Sequence, residues 1–155
     1  MLAQQVLQHC RNKGWRIATA ESCTGGLVAA ALTDIAGSSD VFERGFVTYS
    51  NIAKTEMLGV DPQLIKEFGA VSQQVAAKMA MAALTRAKVD VAVSITGVAG
   101  PGGSENKPEG LVWFGLSIKN SVTISQKLEF GAIGRKNVRQ KSVEHALGLL
   151  LNAAR

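Results

Sequence analysis

The chain has only two cysteines and two histidines among its 155 residues. Cys10 and Cys23 lie far apart and form no metal-ligand spacing with His9 and His145, so neither a metal centre nor a disulfide framework is expected, and a chain of this length needs no such staple. The thiols read as reduced, which predicts a cytoplasmic protein. No apolar run is long enough to cross a bilayer, and Gln4, Gln5, Gln8 and His9 interrupt the N-terminal segment where a signal peptide would carry its apolar core. Aromatic residues are scarce and do not interleave with the basic ones, so the stacking platform of a nucleic-acid binder is missing. Acidic residues are outnumbered, 12 against 17 Lys and Arg, for a formal charge of +5. An excess this modest and dispersed suits a small phosphorylated molecule better than nucleic acid or a membrane. Repeats, low-complexity runs and composition shifts are also lacking, so residues 1–155 read as a single domain.

What is present is a regular interleaving of apolar patterns. Leu2, Val6, Leu7 and Cys10 recur at helical spacing and predict an amphipathic helix that stops near Gly14. Trp15 to Ala20 reads as a short buried strand. Leu27, Val28, Ala31, Leu32 and Ile35 mark a second helix, closed by Gly37 and the polar Ser38-Ser39-Asp40. A strand is expected over Phe42 to Tyr49, ending on Ser50-Asn51, good caps for a short helix. Asp61-Pro62 opens another helix that Gly69 stops. Ser72 begins a longer one, with Val75, Met79, Ala80, Ala83, Leu84 and Ala87 on its buried face. Val89 to Thr96 is apolar enough for a central strand covered on both faces. Leu111 to Ile118 and the half-exposed Val122 to Phe130 follow as successive strands. A final helix begins after Gly134, with Val138, Val143, Ala146, Leu147, Leu150 and Leu151 inward. Alternation followed by two strands in succession gives the fold class: α/β, a three-layer α/β/α sandwich with a mixed sheet between helical layers.

Several stretches carry chemistry. In Ala18-Thr19-Ala20-Glu21-Ser22-Cys23-Thr24-Gly25-Gly26 a strand runs into hydroxyls and a glycine pair, then a helix. Glycines there allow a tight turn and a close ligand, and helix N–H groups attract negative charge. Ser22 or Thr24 is therefore a nucleophile, a helix cap or a phosphate contact. A thiolate at Cys23 would be favoured by the same helix, but no histidine stands nearby in sequence to activate it. Lys54 falls near the start of its helix, where the dipole disfavours a cation. Gly97 to Ser104 has the glycine separation of a phosphate-binding P-loop, but Gly103 occupies the lysine position and a strand follows instead of a helix. It reads as a long functional connection between neighbouring strands. Arg135 and Arg139, four apart at the start of the last helix, form an anion site or a solvated basic face. The ends of parallel strands converge on one crevice, which would gather Ser22, Tyr49, Lys54 and the glycine-rich loop.

Ala20-Glu21-Ser22-Cys23-Thr24-Gly25-Gly26, Phe42-Glu43-Arg44-Gly45-Phe46-Val47-Thr48-Tyr49-Ser50-Asn51, Gly69-Ala70-Val71-Ser72 and Ser94-Ile95-Thr96-Gly97-Val98-Ala99-Gly100-Pro101-Gly102-Gly103 resemble the nicotinamide-nucleotide amidohydrolase family, also known as the CinA carboxy-terminal domain family. The likeness covers nearly the whole chain, which reads as the lone form of a domain that also occurs fused behind another. It implies deamidation of nicotinamide mononucleotide to nicotinate mononucleotide and ammonia, a step in pyridine nucleotide recycling. It further implies Ser22 as nucleophile, Lys54 as base and Tyr49 as the assisting residue, without metal or organic cofactor, in a homo-oligomer. Thr24, Gly25, Gly26, Thr96, Gly97, Gly100, Gly102, Arg135 and Arg139 are the expected substrate contacts. A lysine base must be neutral, so Lys54 is expected to be desolvated. Tyr49 is expected to hydrogen-bond Ser22 or Lys54. The alternative is a non-catalytic nucleotide-binding or regulatory module of the competence-associated kind, which would have no use for a close Ser22–Tyr49–Lys54 cluster.

Overall fold

The computed structural model describes all 155 residues. In chain order the elements are α1 (Leu2–Lys13), β1 (Ile17–Glu21), α2 (Leu27–Thr33), a 3₁₀ turn at Ser38–Asp40, β2 (Phe42–Val47), α3 (Asn51–Leu58), α4 (Pro62–Phe68), α5 (Gln73–Ala87), β3 (Val91–Gly97), β4 (Leu111–Ile118), β5 (Ile124–Glu129) and α6 (Arg135–Ala154). The sheet order is β2-β1-β3-β4-β5. Its first three strands are parallel, and β4 and β5 are antiparallel to their neighbours. The mixed sandwich expected from the order of patterns is the one observed. No helix is long and apolar enough to cross a membrane.

Residue size on alternate sheet faces sets how the two helical layers pack. Ile17, Val91, Val93 and Ile95 project into a core shared with α1, α2 and α6. Ala18, Ala20 and Ala92 project to the other side, against Val75, Met79 and Ala83 of α5. The period-two switch from large to small residues leaves α5 closer to the sheet. Ser94, on this thin face, donates its hydroxyl to the Ala76 carbonyl at 2.6 Å. Gly115 of β4 lies under the same helix, where a Cβ would overlap the Ala76 carbonyl oxygen and stand 2.5 Å from Ser94 Oγ.

Four strands differ in their bounds from the sequence reading, and the central one runs Val91–Gly97 in place of Val89 to Thr96. The first strand starts at Ile17 because Arg16 is engaged earlier: its N–H donates to the Asp90 carboxylate at 2.8 Å, and its carbonyl accepts from Asp90 and Val91. The strand expected to run to Tyr49 stops at Val47, since the Thr48 and Tyr49 carbonyls turn inward to Lys54. The last strand is shorter at both ends, Ile124–Glu129. From β1 the chain winds first to β2 on one side and then across to β3 on the other. The carboxyl ends of β1 and β3 therefore flank a topological switch point, the place where open α/β sheets form a crevice.

Candidate active site

Ser22 follows the last residue of β1, and its N–H donates to the Ile95 carbonyl of β3 at 2.9 Å. The serine thus sits at the switch point on a ladder extension rather than on a loose loop. Whether Ser22 or Thr24 merely caps α2 is answered by a residue the sequence reading passed over. Glu21, 1% exposed, accepts from Thr24 Oγ1 (2.7 Å) and Val28 N–H (2.9 Å) on Oε1 and from Ala29 N–H (3.0 Å) on Oε2. The carboxylate takes up the helix N–H groups that Gly26, the N-cap, cannot. Ser22 is left free of capping. The one hint in the sequence was an acidic residue closing an otherwise apolar strand.

Ser50 caps α3 by accepting the Ala53 N–H at 3.0 Å, which fixes the turn on which Lys54 projects inward. Lys54 is 1% exposed. Its Nζ lies 2.9 Å from Ser22 Oγ, 2.9 Å from the Thr48 carbonyl and 3.3 Å from the Tyr49 carbonyl. Burial pulls its pKa down from 10.5 to about 8, against the opposing influence of Cys23 and Glu105. A neutral amine has two N–H bonds and one lone pair. Two carbonyls occupy the N–H bonds, so the lone pair is left for the Ser22 hydroxyl, the arrangement a serine needs to lose its proton. The neighbouring thiol of Cys23 is pushed up to about 12 by burial and stays protonated, which disfavours it as the nucleophile.

Ser22, Lys54 and Tyr49 all border a cleft of about 310 Å³, together with Thr96, Gly97, Gly100, Gly102 and Arg135. Tyr49 meets the pair differently from expectation. Its side chain is 60% exposed and its hydroxyl accepts from Arg135 Nη2 at 2.9 Å, while its main-chain carbonyl is what reaches Lys54 and, at 3.4 Å, the Ser22 hydroxyl. The phenol points away because the chain turns at Tyr49 to direct that carbonyl inward. Arg135 Nη1 also donates to the Gly100 carbonyl at 2.6 Å, joining α6 to the glycine-rich loop. Thr96 Oγ1 donates to the Ala70 carbonyl at 2.9 Å.

Thr24, Gly25, Gly26 and Arg139 stand outside the cleft lining. Thr24 is committed to Glu21, and Arg139 donates to the carbonyls of Cys23 (3.1 Å) and Thr24 (3.4 Å), bracing the serine loop from behind. The two arginines, indistinguishable by spacing, therefore face different tasks. No cluster of three or more His, Cys, Asp or Glu side chains gathers anywhere in the fold.

Nearly the whole chain is similar to a group of known proteins. The chain is 52% identical over 147 residues to the nicotinamide-nucleotide amidohydrolase PncC of Enterobacter agglomerans, covering 94% of this chain and 89% of that protein. It is 49% identical over 150 residues to the protein of the same name from Escherichia coli strain K12, covering 96% and 90%. Among solved structures, the competence/damage inducible protein CihA from Agrobacterium tumefaciens superposes with a TM-score of 0.96 at 46% identity, covering 99% of this chain and 94% of that one. The model of the CinA C-terminal domain matches residues 1–154, and the chain belongs to that family.

Proposed function

We propose that this protein hydrolyses the carboxamide of nicotinamide mononucleotide, giving nicotinate mononucleotide and ammonia in pyridine nucleotide recycling. The observation that carries the reading is the buried Lys54 amine 2.9 Å from Ser22 Oγ at the edge of a cleft. The names borne by relatives about half identical over nearly the whole chain supply the substrate. Ser22 Oγ attacks the carboxamide carbon while Lys54 takes the hydroxyl proton. Lys54 returns that proton to the departing nitrogen, the C–N bond breaks, and ammonia leaves an ester on Ser22. Water, deprotonated by the same amine, then cleaves the ester and regenerates the serine. The Cys23 N–H, which donates to no main-chain carbonyl, is the donor adjoining the nucleophile for the developing oxyanion, a contribution of about 3 kcal/mol where such donors have been removed.

Thr96, Gly97, Gly100 and Gly102 form the walls for the nucleotide, and Arg135 is the cation placed for its phosphate. Thr24, Gly25, Gly26 and Arg139 serve the site by shaping the serine loop. Tyr49 assists through its carbonyl on Lys54 and through its hydroxyl on Arg135. Assembly into a homo-oligomer belongs to the same proposal and is measured by light scattering. Ammonia release from nicotinamide mononucleotide, with the unphosphorylated riboside as control, tests the chemistry. Ser22→Ala and Lys54→Ala are each expected to abolish release with the fold intact by circular dichroism, and full activity in either removes the mechanism.

A further inference from the structure

The Gly69-Ala70-Val71-Ser72 segment takes no part in the chemistry above, yet Ala70 and Val71 form one wall of the cleft. Lying between α4 and α5, it exposes main-chain groups that neither helix satisfies. Two side chains of the Gly97–Gly110 loop take them up. Glu105 accepts the Ala70 N–H on Oε2 at 2.9 Å and the Val71 N–H on Oε1 at 3.1 Å. Lys107 Nζ donates to the Phe68 carbonyl at 2.9 Å and to the Val71 carbonyl. The two charges stand 3.7 Å apart. Thr96 and Ser72 complete the set by donating to the Ala70 and Gly69 carbonyls. At Gly69, with φ +83°, a Cβ would come within 2.7 Å of Lys107 Nζ and 3.0 Å of Glu105 Oε1, so the plug fits only a glycine.

The loop is bent to bring these side chains together. Ser104 and Lys107 exchange main-chain hydrogen bonds at 2.9 and 2.7 Å, and between them Glu105 (φ 53°) and Asn106 (φ 61°) are both left-handed. That is the backbone of a type I′ turn, whose first central position favours Asn, Asp or Gly. Glutamate there goes against its own backbone preference and is held by the two hydrogen bonds of its carboxylate.

We propose that Glu105 and Lys107 are positioning residues for substrate binding. Their paired charges plug the loop tip into the Gly69–Ser72 turn and so set the width of the cleft facing Ser22 and Lys54. The inference rests on the amidohydrolase reading only for the identity of the substrate. The Ser22–Lys54 pair is held by β1, β3 and α3, independently of the plug, so loosening the loop weakens binding more than chemistry.

Glu105→Gln and Lys107→Met are the test variants, with Asn106→Gly as a control that eases the turn and keeps the plug. Each test variant is expected to raise KM by about tenfold with kcat changed by less than about threefold. The Kd for nicotinamide mononucleotide, measured calorimetrically in a Ser22→Ala background, should weaken in parallel. Amides of Ala70, Val71 and Gly97–Gly103 should exchange hydrogen faster, and the acid limb of activity should move to lower pH in Glu105→Gln alone. Asn106→Gly should match the parent. Lower melting temperatures with KM, Kd and exchange at Gly97–Gly103 unchanged would reduce the plug to a structural brace and overturn the proposal. If the unaltered protein releases no ammonia, the amidohydrolase reading fails, and Kd decides the plug. If it does not bind the nucleotide either, exchange at Gly97–Gly103 decides: faster exchange upholds the plug and unchanged exchange rejects it.

Discussion

At Lys54 a single side chain bears on both the proposed reaction and part of the stability. The amine holds its proton up to about pH 8 in the folded chain and up to its ordinary 10.5 when exposed. A base must be unprotonated to act, so activity should fall on the acidic side of pH 8, reaching roughly one-hundredth of its maximum near about pH 6. A rate that is level from about pH 6 to 9 would deny Lys54 the role of base. Between the two pKa values the unfolded chain keeps a proton that the folded chain has released. The contribution of Lys54 to stability therefore rises with pH across that window, and below pH 8 the folded state carries the whole cost of a buried ammonium, about 3 kcal/mol. In urea titrations from about pH 7 to 10 the stability of the parent protein relative to Lys54→Met should rise across that window, the buried Cys10 and Cys23 thiols, whose raised pKa values act in the opposite direction above about pH 9, being common to both proteins. The slopes are the quantity to compare, because Lys54→Met also leaves the Thr48 and Tyr49 carbonyls without a donor.

Where a side chain caps a helix of this chain, it is the one that local capping chemistry foretells, with one exception; α1 and α6 begin without a side-chain cap. Ser50, Asp61-Pro62 and Ser72 each start a helix and each accepts a main-chain N–H on its side chain, as their positions in the sequence foretold. Gly14 ends α1 in the left-handed conformation expected of a C-terminal glycine. The exception is α2, whose cap comes from Glu21, six residues before its first helical position. No spacing rule describes a carboxylate that reaches a helix from the end of the preceding strand, and so the serine's freedom from capping was not legible in advance. Glu21→Ala removes three hydrogen bonds to one carboxylate, two of them buried and the third partly so. It should destabilise the fold by about 3 kcal/mol in chemical denaturation, because buried donors are left unpaired. A loss below about 1 kcal/mol would show that α2 finds another cap.

Over the whole molecule, strand order explains how a short list of residues scattered along the sequence becomes one site. The α/β class, the neighbouring strands around the glycine-rich connection and the gathering of Ser22, Lys54 and the loop were all readable, because periodicity and the convergence of parallel strand ends are general properties of such chains. Relations that depend on distance in the folded chain were not readable: the Tyr49 phenol on Arg135, Arg139 behind the serine loop, and Glu105 with Lys107 on the α4–α5 turn. The formal charge of +5 acts at the same scale. Attraction of a phosphorylated substrate should weaken with salt, so KM is expected to rise about twofold to threefold between about 20 and 300 mM NaCl with kcat unchanged. A KM indifferent to salt would place substrate capture on short-range contacts alone. The atoms that grip the Lys54 amine are peptide oxygens, which every amino acid possesses. Positions 48 and 49 can therefore drift in side-chain identity without unseating that amine, whereas gaining or losing one residue between Val47 and Lys54 would put the wrong oxygens in front of it, so this part of the chain is constrained in length more than in spelling.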